Sequence, residues 1–197
     1  MYGLTENEAK VMDFLVRNFN ERNSINEIGR RLKITPMGVY KILKKLESIH
    51  AVIPEVTKYG TFYRADLLEE IGSKFSELVL IQNELNDYSK VLEEDFEQLK
   101  SVTLSCILFG SVIKEGSKAR DIDVLLVLEK RNFKKVHNKL EEIKELKPKK
   151  IHDVMMTKED LVKTIRKNDE VVLDIIKGGK VLWGSEIIVE AIKNGAS

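Results

Sequence analysis

The chain has 197 residues, with 33 Lys and Arg against 32 Asp and Glu and a formal net charge of +1. That balance excludes a histone-like polycation, and 3 prolines with 11 glycines exclude collagen-like and low-complexity classes. The single cysteine, Cys106, excludes an intramolecular disulfide and a cysteine-rich zinc site. The longest apolar run, Val124 to Leu128, falls far short of the roughly 20 residues a membrane helix needs. The opening Met1-Tyr2-Gly3-Leu4-Thr5-Glu6 lacks the basic-then-apolar layout of a signal peptide. A soluble cytoplasmic protein with no membrane partner is expected.

Charge is uneven along the chain. Residues 1–64 carry 11 basic and 7 acidic groups, residues 65–100 carry 3 and 10, and residues 101–197 carry 19 and 15. Two basic ends around an acidic middle predict two domains and a connector, at 1–65, 66–100 and 101–197.

Thr5 and Glu8 form a capping box ahead of Val11, Phe14, Leu15 and Phe19 at helical spacing. Ser24 and Glu27 repeat the box ahead of Ile28 and Leu32. Thr35 caps and Pro36 opens a third helix, with Val39, Ile42, Leu43 and Leu46 inward and Tyr40, Lys41, Lys44 and Lys45 opposite. Residues 51–57 and 61–64 flank Lys58-Tyr59-Gly60 as a hairpin with glycine in its turn. Two short helices joined by a tight turn and followed by a hairpin resemble a winged helix-turn-helix domain of the MarR or TrmB-like type. The resemblance covers about residues 1–65 and implies double-stranded DNA as partner, with helix 36–47 in the major groove. Thr35, Met37, Gly38, Tyr40 and Lys41 would face bases or phosphates, Lys44 and Lys45 phosphates, and Lys58 and Arg64 the backbone.

Asp66 to Lys100 reads as helical, with Leu67, Leu68, Ile71, Phe75, Leu78, Leu85, Val91, Leu92, Phe96 and Leu99 near helical spacing. Gly72-Ser73 is the expected break. Residues 67–82 are expected to pair in part with a second copy, giving a homodimer, and residues 84–100 to cover the C-terminal domain.

Val102 to Phe109 reads as a buried strand ending at Gly110-Ser111, and Asp121-Ile122-Asp123 opens a second apolar strand. Residues two apart share a strand face, so Asp121 and Asp123 bring two carboxylates together. Such a pair repels unless a cation joins it, and hard oxygen donors suit Mg²⁺ or Mn²⁺. Gly110 lets the backbone approach a phosphate closely, and the hydroxyl and amide of Ser111 can donate to phosphate oxygens.

Leu108-Phe109-Gly110-Ser111, nine residues, then Asp121-Ile122-Asp123 resembles the signature of the DNA polymerase β-type nucleotidyltransferase superfamily, and most of all its minimal members. The resemblance covers roughly residues 88–197. It implies that Gly110 and Ser111 hold the triphosphate of an NTP; Lys114, Lys118 and Arg120, which the resemblance does not cover, either neutralise that triphosphate or are solvated loop charges. It implies that Asp121 and Asp123 are catalytic and carry Mg²⁺ or Mn²⁺. Active members add a third carboxylate on a neighbouring strand, here 150–156. Asp153 supplies it as a catalytic residue if it faces inward. His152 points to the opposite side and is the alternative, offering an imidazole as base. The chain departs from the family at Val112-Ile113-Lys114-Glu115-Gly116, where an arginine-rich stretch is common, and at Arg120, where a serine is common.

Helices over 133–146, 157–166 and 169–177 and an extended piece at 181–184 complete the domain. Trp183, Met155 and Met156 read as core or strand residues, and His50 and His137 lack metal-spaced partners. The expected fold class is α+β: a winged helix-turn-helix domain, a helical connector and a small mixed-sheet polymerase-β-like domain. Three functions are compatible with it. The first is a DNA-binding regulator with Mg²⁺-dependent NTP binding or nucleotidyl transfer. The second is an enzyme modifying a protein, RNA or small molecule, and the third a regulator on an inactive scaffold.

Overall fold

A computed structural model describes residues 3–82 and 86–196. The chain is α+β, with ten α-helices and two small sheets among the described residues. It separates into two compact units, one up to Leu80 and one from Ile81 to Gly195.

In the first unit, α1 (Glu6–Arg17) opens on a complete capping box: Thr5 Oγ1 accepts from the Glu8 amide and the Glu8 carboxylate accepts from the Thr5 amide. Ser24 caps α2 (Ile25–Leu32), but the expected reciprocal bond from Glu27 is missing. The Glu27 carboxylate accepts instead from Arg30 and Arg31 at 2.6–2.7 Å, since charged donors outcompete a neutral amide. Thr35 accepts from the Gly38 amide and caps α3 (Pro36–Ser48). Val11, Leu15, Ile28, Val39, Leu43 and Leu46 are fully buried, so the three helices close on the predicted apolar stripes.

A three-stranded antiparallel sheet completes this core, in the order β1 (Asn23–Ser24), β3 (Gly60–Ala65), β2 (Val52–Thr57). Thr57 pairs with Gly60, so the turn is Lys58-Tyr59 and Gly60 starts the returning strand. The predicted break at Gly72-Ser73 is corrected: both residues lie inside α4 (Glu70–Ile81). Gly72 marks a close approach, because a Cβ there would overlap the Asp66 carbonyl, and the Ser76 hydroxyl donates to the Gly72 carbonyl at 2.7 Å. α4 ends at Ile81, and Leu85 lies outside the described residues.

The second unit opens with α5 (Asp87–Phe96) and a 3-10 turn at Glu97–Leu99. The acidic middle of the sequence is therefore divided, α4 starting in one unit and α5 lying in the other. The predicted strand 102–109 is shorter, β4 (Ser105–Phe109). Val102 and Thr103 instead close the preceding turn through bonds to the Leu99 carbonyl. After α6 (Val112–Glu115) come β5 (Asp121–Val127), α7 (Phe133–Leu146) and β6 (Lys150–Met156). The chain ends in α8 (Lys158–Arg166), α9 (Glu170–Gly178), β7 (Lys180–Trp183) and α10 (Ser185–Gly195). Sheet order is β6-β5-β4-β7, with β5 and β6 parallel and the other pairs antiparallel.

Alternation sorts the sheet residues into two faces. Cys106, Leu108, Ile122, Val124 and Leu126 form one cluster with Leu92 and Phe96 of α5 and with Val136 and Leu140 of α7. Ile107 belongs to the other face, where α9 and α10 contact β4. Asp95 of α5 pairs with Lys147 beyond α7, joining the helices of the first face. No helix among the described residues is long and apolar enough to cross a membrane.

Candidate functional site

The site is built where β4 ends and β5 begins. Phe109 pairs with Asp123, so the chain leaving β4 turns directly over that carboxylate. Gly110 makes the turn at φ 73°, and a Cβ there would overlap Asp123 Oδ2. Only glycine satisfies both the left-handed backbone and this approach. Ser111 starts α6 exposed and without a capping bond from its side chain, so its hydroxyl is not committed to the helix. Asp121 and Asp123 are both half-buried and occupy alternate positions of β5, on one face.

Register decides the third position. Asp123 stands opposite His152 in the parallel pair, and His152 Nδ1 lies 3.3 Å from Asp123 Oδ1. Asp153 is one residue on and faces away, where Lys144 of α7 donates to it at 2.7 Å. The expectation of Asp153 as a catalytic residue is therefore corrected, and the inward residue is His152. Burial alone would lower the Lys144 ammonium, yet its bonds to Asp153 and Glu141 hold it above its ordinary value. Asp153 is thus occupied as a structural counter-ion. Lys150 stands opposite Asp121 and shares the face of His152, a placement set by strand register and by nothing local to residue 150.

The loop between Ser111 and Asp121 is braced from outside. Lys149 Nζ donates at 2.5 Å to the carbonyls of Ser117 and Ala119 and sits 4.8 Å from the centre of the Tyr88 ring. Asn86 donates at 3.1 Å to the carbonyls of Val112 and Ile113, while its own oxygen caps α5 by accepting from Ser89. Both ends of the loop that separates the serine from the aspartates are fixed by these bonds.

Beside the Gly-Ser turn lies a cleft of about 580 Å³. One wall is Phe109, Gly110, Ser111, Ile113, Lys114 and Glu115, and the other is Val171, Asp174, Ile175 and Gly178 of α9. The α9 wall was not legible in the sequence, because nothing local to residues 170–178 announces the turn they face. Lys114 lines this cleft, whereas Lys118 and Arg120 are exposed on the braced loop outside its lining. Phe109, Ile113, Val171 and Ile175 give the cleft apolar surface beside the Ser111 hydroxyl, while Lys114, Glu115 and Asp174 add one positive and two negative groups to its lining.

Among the described residues no group of three or more His, Cys, Asp or Glu is assembled to hold a metal ion. The donors that do converge are Asp123 and His152, with Asp121 one pleat away on the same face. These are the residues that could hold a divalent ion there.

On the first unit, the sequence-predicted nucleic-acid residues separate into a face and its flanks. Met37 and Tyr40 are 63% and 44% exposed, and Lys41 is exposed beside them. Thr35 and Gly38 are taken up in the cap of α3. Lys44 pairs with Glu47 at 2.8 Å on the helix surface. Lys45 is likewise exposed and paired, its ammonium lying 2.7 Å from the buried Glu8 of α1. Burial would raise the Glu8 carboxyl, but Lys45 and the Thr5 amide together hold it below its ordinary value. Lys58 lies over the Tyr59 ring at 4.9 Å at the hairpin tip, and Arg64 is exposed on β3.

The chain matches no protein-family model, no curated protein and no solved structure.

Proposed function

We propose that this protein is a DNA-binding regulator whose C-terminal unit takes up a nucleoside triphosphate with a divalent cation. The observation that carries the reading is the Gly110–Asp123 contact, with the open Ser111 hydroxyl beside it and Asp121 on the same strand face. This arrangement offers donors to phosphate and carboxylates to a cation within one turn. It agrees with the resemblance to minimal polymerase-β-type nucleotidyltransferases in the spacing of the motif. The three helices and hairpin of the first unit agree in kind with a winged helix-turn-helix, with Met37, Lys41 and Lys44 as its outward face. A homodimer through α4 fits this reading, since Ile71 and Leu78 are each 41% exposed on that helix.

The test is thermal stabilisation by NTP with and without Mg²⁺ or Mn²⁺, with Asp123→Asn as the control. A ligand at 100 times its dissociation constant stabilises by about 2.7 kcal/mol. Cation-dependent stabilisation that vanishes in the variant supports the reading, and no stabilisation by any nucleotide overturns it. For the first unit, Lys41→Ala with Lys44→Ala should weaken DNA binding and flatten its salt dependence.

The placement of His152 favours nucleotidyl transfer as the second reading. An acceptor hydroxyl attacking the α-phosphorus would lose its proton to the imidazole as the bond to pyrophosphate breaks. Label transfer from an NTP that persists in Asp121→Asn would remove this assignment.

A further inference from the structure

We propose that the C-terminal unit carries a surface for the phosphate backbone of a nucleic-acid duplex, on the N-terminal half of α7. This surface is independent of the nucleotide cleft and adds to the DNA contact proposed for the first unit. Between Glu129 and Glu141 the chain holds five basic residues and no acidic one. Arg131, in the turn that leads into α7, is exposed, as are Lys134, Lys135 and Asn138 on the helix itself. These four stand three or four positions apart, so their Cβ atoms are neighbours at about 5–6 Å. Together they make one compact patch of charged and amide donors.

The core of this patch is not spent inside the protein. At the far end of α7, Lys144 pairs with Glu141 and Asp153, and Lys147 beyond the helix pairs with Asp95. Lys139 donates to the Gln98 carbonyl, and Lys130 lines a cleft that also holds Glu159 and Asp160. Arg131, Lys134 and Lys135 have no ion-pair partner among the described residues. They also crowd the helix end where the macrodipole is positive and where α1 and α8 place acidic residues instead. That gathering of like charge is unfavourable within the chain and becomes favourable once phosphates lie against it.

The chemistry of the patch selects the partner. No large apolar side chain is exposed between Lys130 and Lys139. A protein interface has an apolar core, and a helix lying on a membrane needs apolar side chains to insert. Phe133 packs against the core cluster, so the patch offers no open ring on which an unpaired base could stack. Phosphates require only charge and hydrogen-bond donors, and contacts to them carry no sequence information.

The experiment uses the full chain with short DNA and RNA duplexes of arbitrary sequence, read by fluorescence anisotropy between about 50 and 200 mM salt. Arg131→Gln with Lys134→Gln and Lys135→Gln should weaken DNA binding at least tenfold. It should also make the log–log salt dependence shallower by about 2.7, or about 0.9 for each of three phosphate contacts. The same decrement is expected on top of Lys41→Ala with Lys44→Ala, which separates this surface from the first unit. Lys134→Arg with Lys135→Arg should keep the wild-type slope, as should Lys90→Gln with Lys167→Gln, two exposed lysines elsewhere on the unit. A loss on both duplexes or on one of them supports the surface and identifies the backbone it holds. An unchanged slope in the triple variant, or an equal loss in the Lys90 and Lys167 control, overturns it and leaves the first-unit reading standing. A triple variant that binds duplex normally but loses polyglutamate or phosphatidylserine vesicles overturns it in favour of that other partner. No duplex binding by the wild type overturns this surface and the DNA-binding reading together.

Discussion

Asp123 occupies the space that a side chain at Gly110 would need. A Cβ there would overlap its Oδ2, and the backbone at 110 is already left-handed. A non-glycine residue in that conformation costs about 1–2 kcal/mol before any clash. Gly110→Ala should therefore lower unfolding stability by at least about 1 kcal/mol and also displace the Asp123 carboxylate. Denaturant titration measures the first effect and nucleotide-dependent thermal shift the second. A variant with wild-type values in both would contradict the close approach.

Asp153 and Asp121 should separate cleanly in mutagenesis. Asp153→Asn removes one of the two carboxylates paired with the half-buried Lys144, the other being Glu141, and is expected to cost up to about 1 kcal/mol of stability. It should leave nucleotide affinity unchanged. Asp121→Asn should do the reverse, since Asp121 is half-buried at the strand start without a role in the α7 contact. Isothermal calorimetry beside denaturant titration distinguishes the two.

Acid should loosen the contact between α1 and α3. The Glu8 carboxyl is held below its ordinary value of 4.5 in the folded chain. A group with a depressed folded pKa adds stability that is present above its unfolded value and is lost as pH falls through the folded one. The wild type should therefore lose stability below about pH 4.5, a window set by the ordinary carboxyl value. Lys45→Met should shrink that loss, because the ion pair that depresses Glu8 is gone. Denaturant midpoints between pH 7 and pH 3 for both proteins provide the measurement.

A fragment beginning at residue 101 should fail where one beginning at residue 86 folds. Leu92, Phe96 and Leu99 are all 0% exposed and belong to the cluster that covers one sheet face. Each contributes about 1.5–3 kcal/mol on burial, and a whole domain retains only about 5–15 kcal/mol. Circular dichroism melts of the two fragments decide the matter, and a cooperative transition in the shorter one would refute it.

Local features were the most legible part of this sequence. The Thr5–Glu8 box, the Thr35 cap with Pro36 and the ends of the helix 133–146 depend on residues within a turn of one another, and the structure has them. The orientation of His152 against Asp153 was not legible, since it depends on which β5 residue lies opposite. Lys45 looked like its neighbours Lys41 and Lys44 because a basic helix face shows no trace of the acidic residue 37 positions away that claims it. Gly72 resembles a break for a similar reason: a glycine that ends a helix and one that lets a helix approach a carbonyl have the same sequence signature. The helix 185–195 and the two-residue strand 23–24 were not anticipated, the strand being too short to show alternation.

Asn86 shows how a tertiary demand can hide inside a local one. As a helix cap, asparagine, aspartate and serine are close to interchangeable. Here the oxygen of the amide serves α5 and its nitrogen serves two carbonyls of α6. Aspartate would keep the first bond and set a negative oxygen against both carbonyls, and serine would be too short to reach them. The residue's identity is therefore decided 26 positions downstream, and an exchange that any table of cap preferences would pass as silent falls on the loop that carries Ser111 to Asp121.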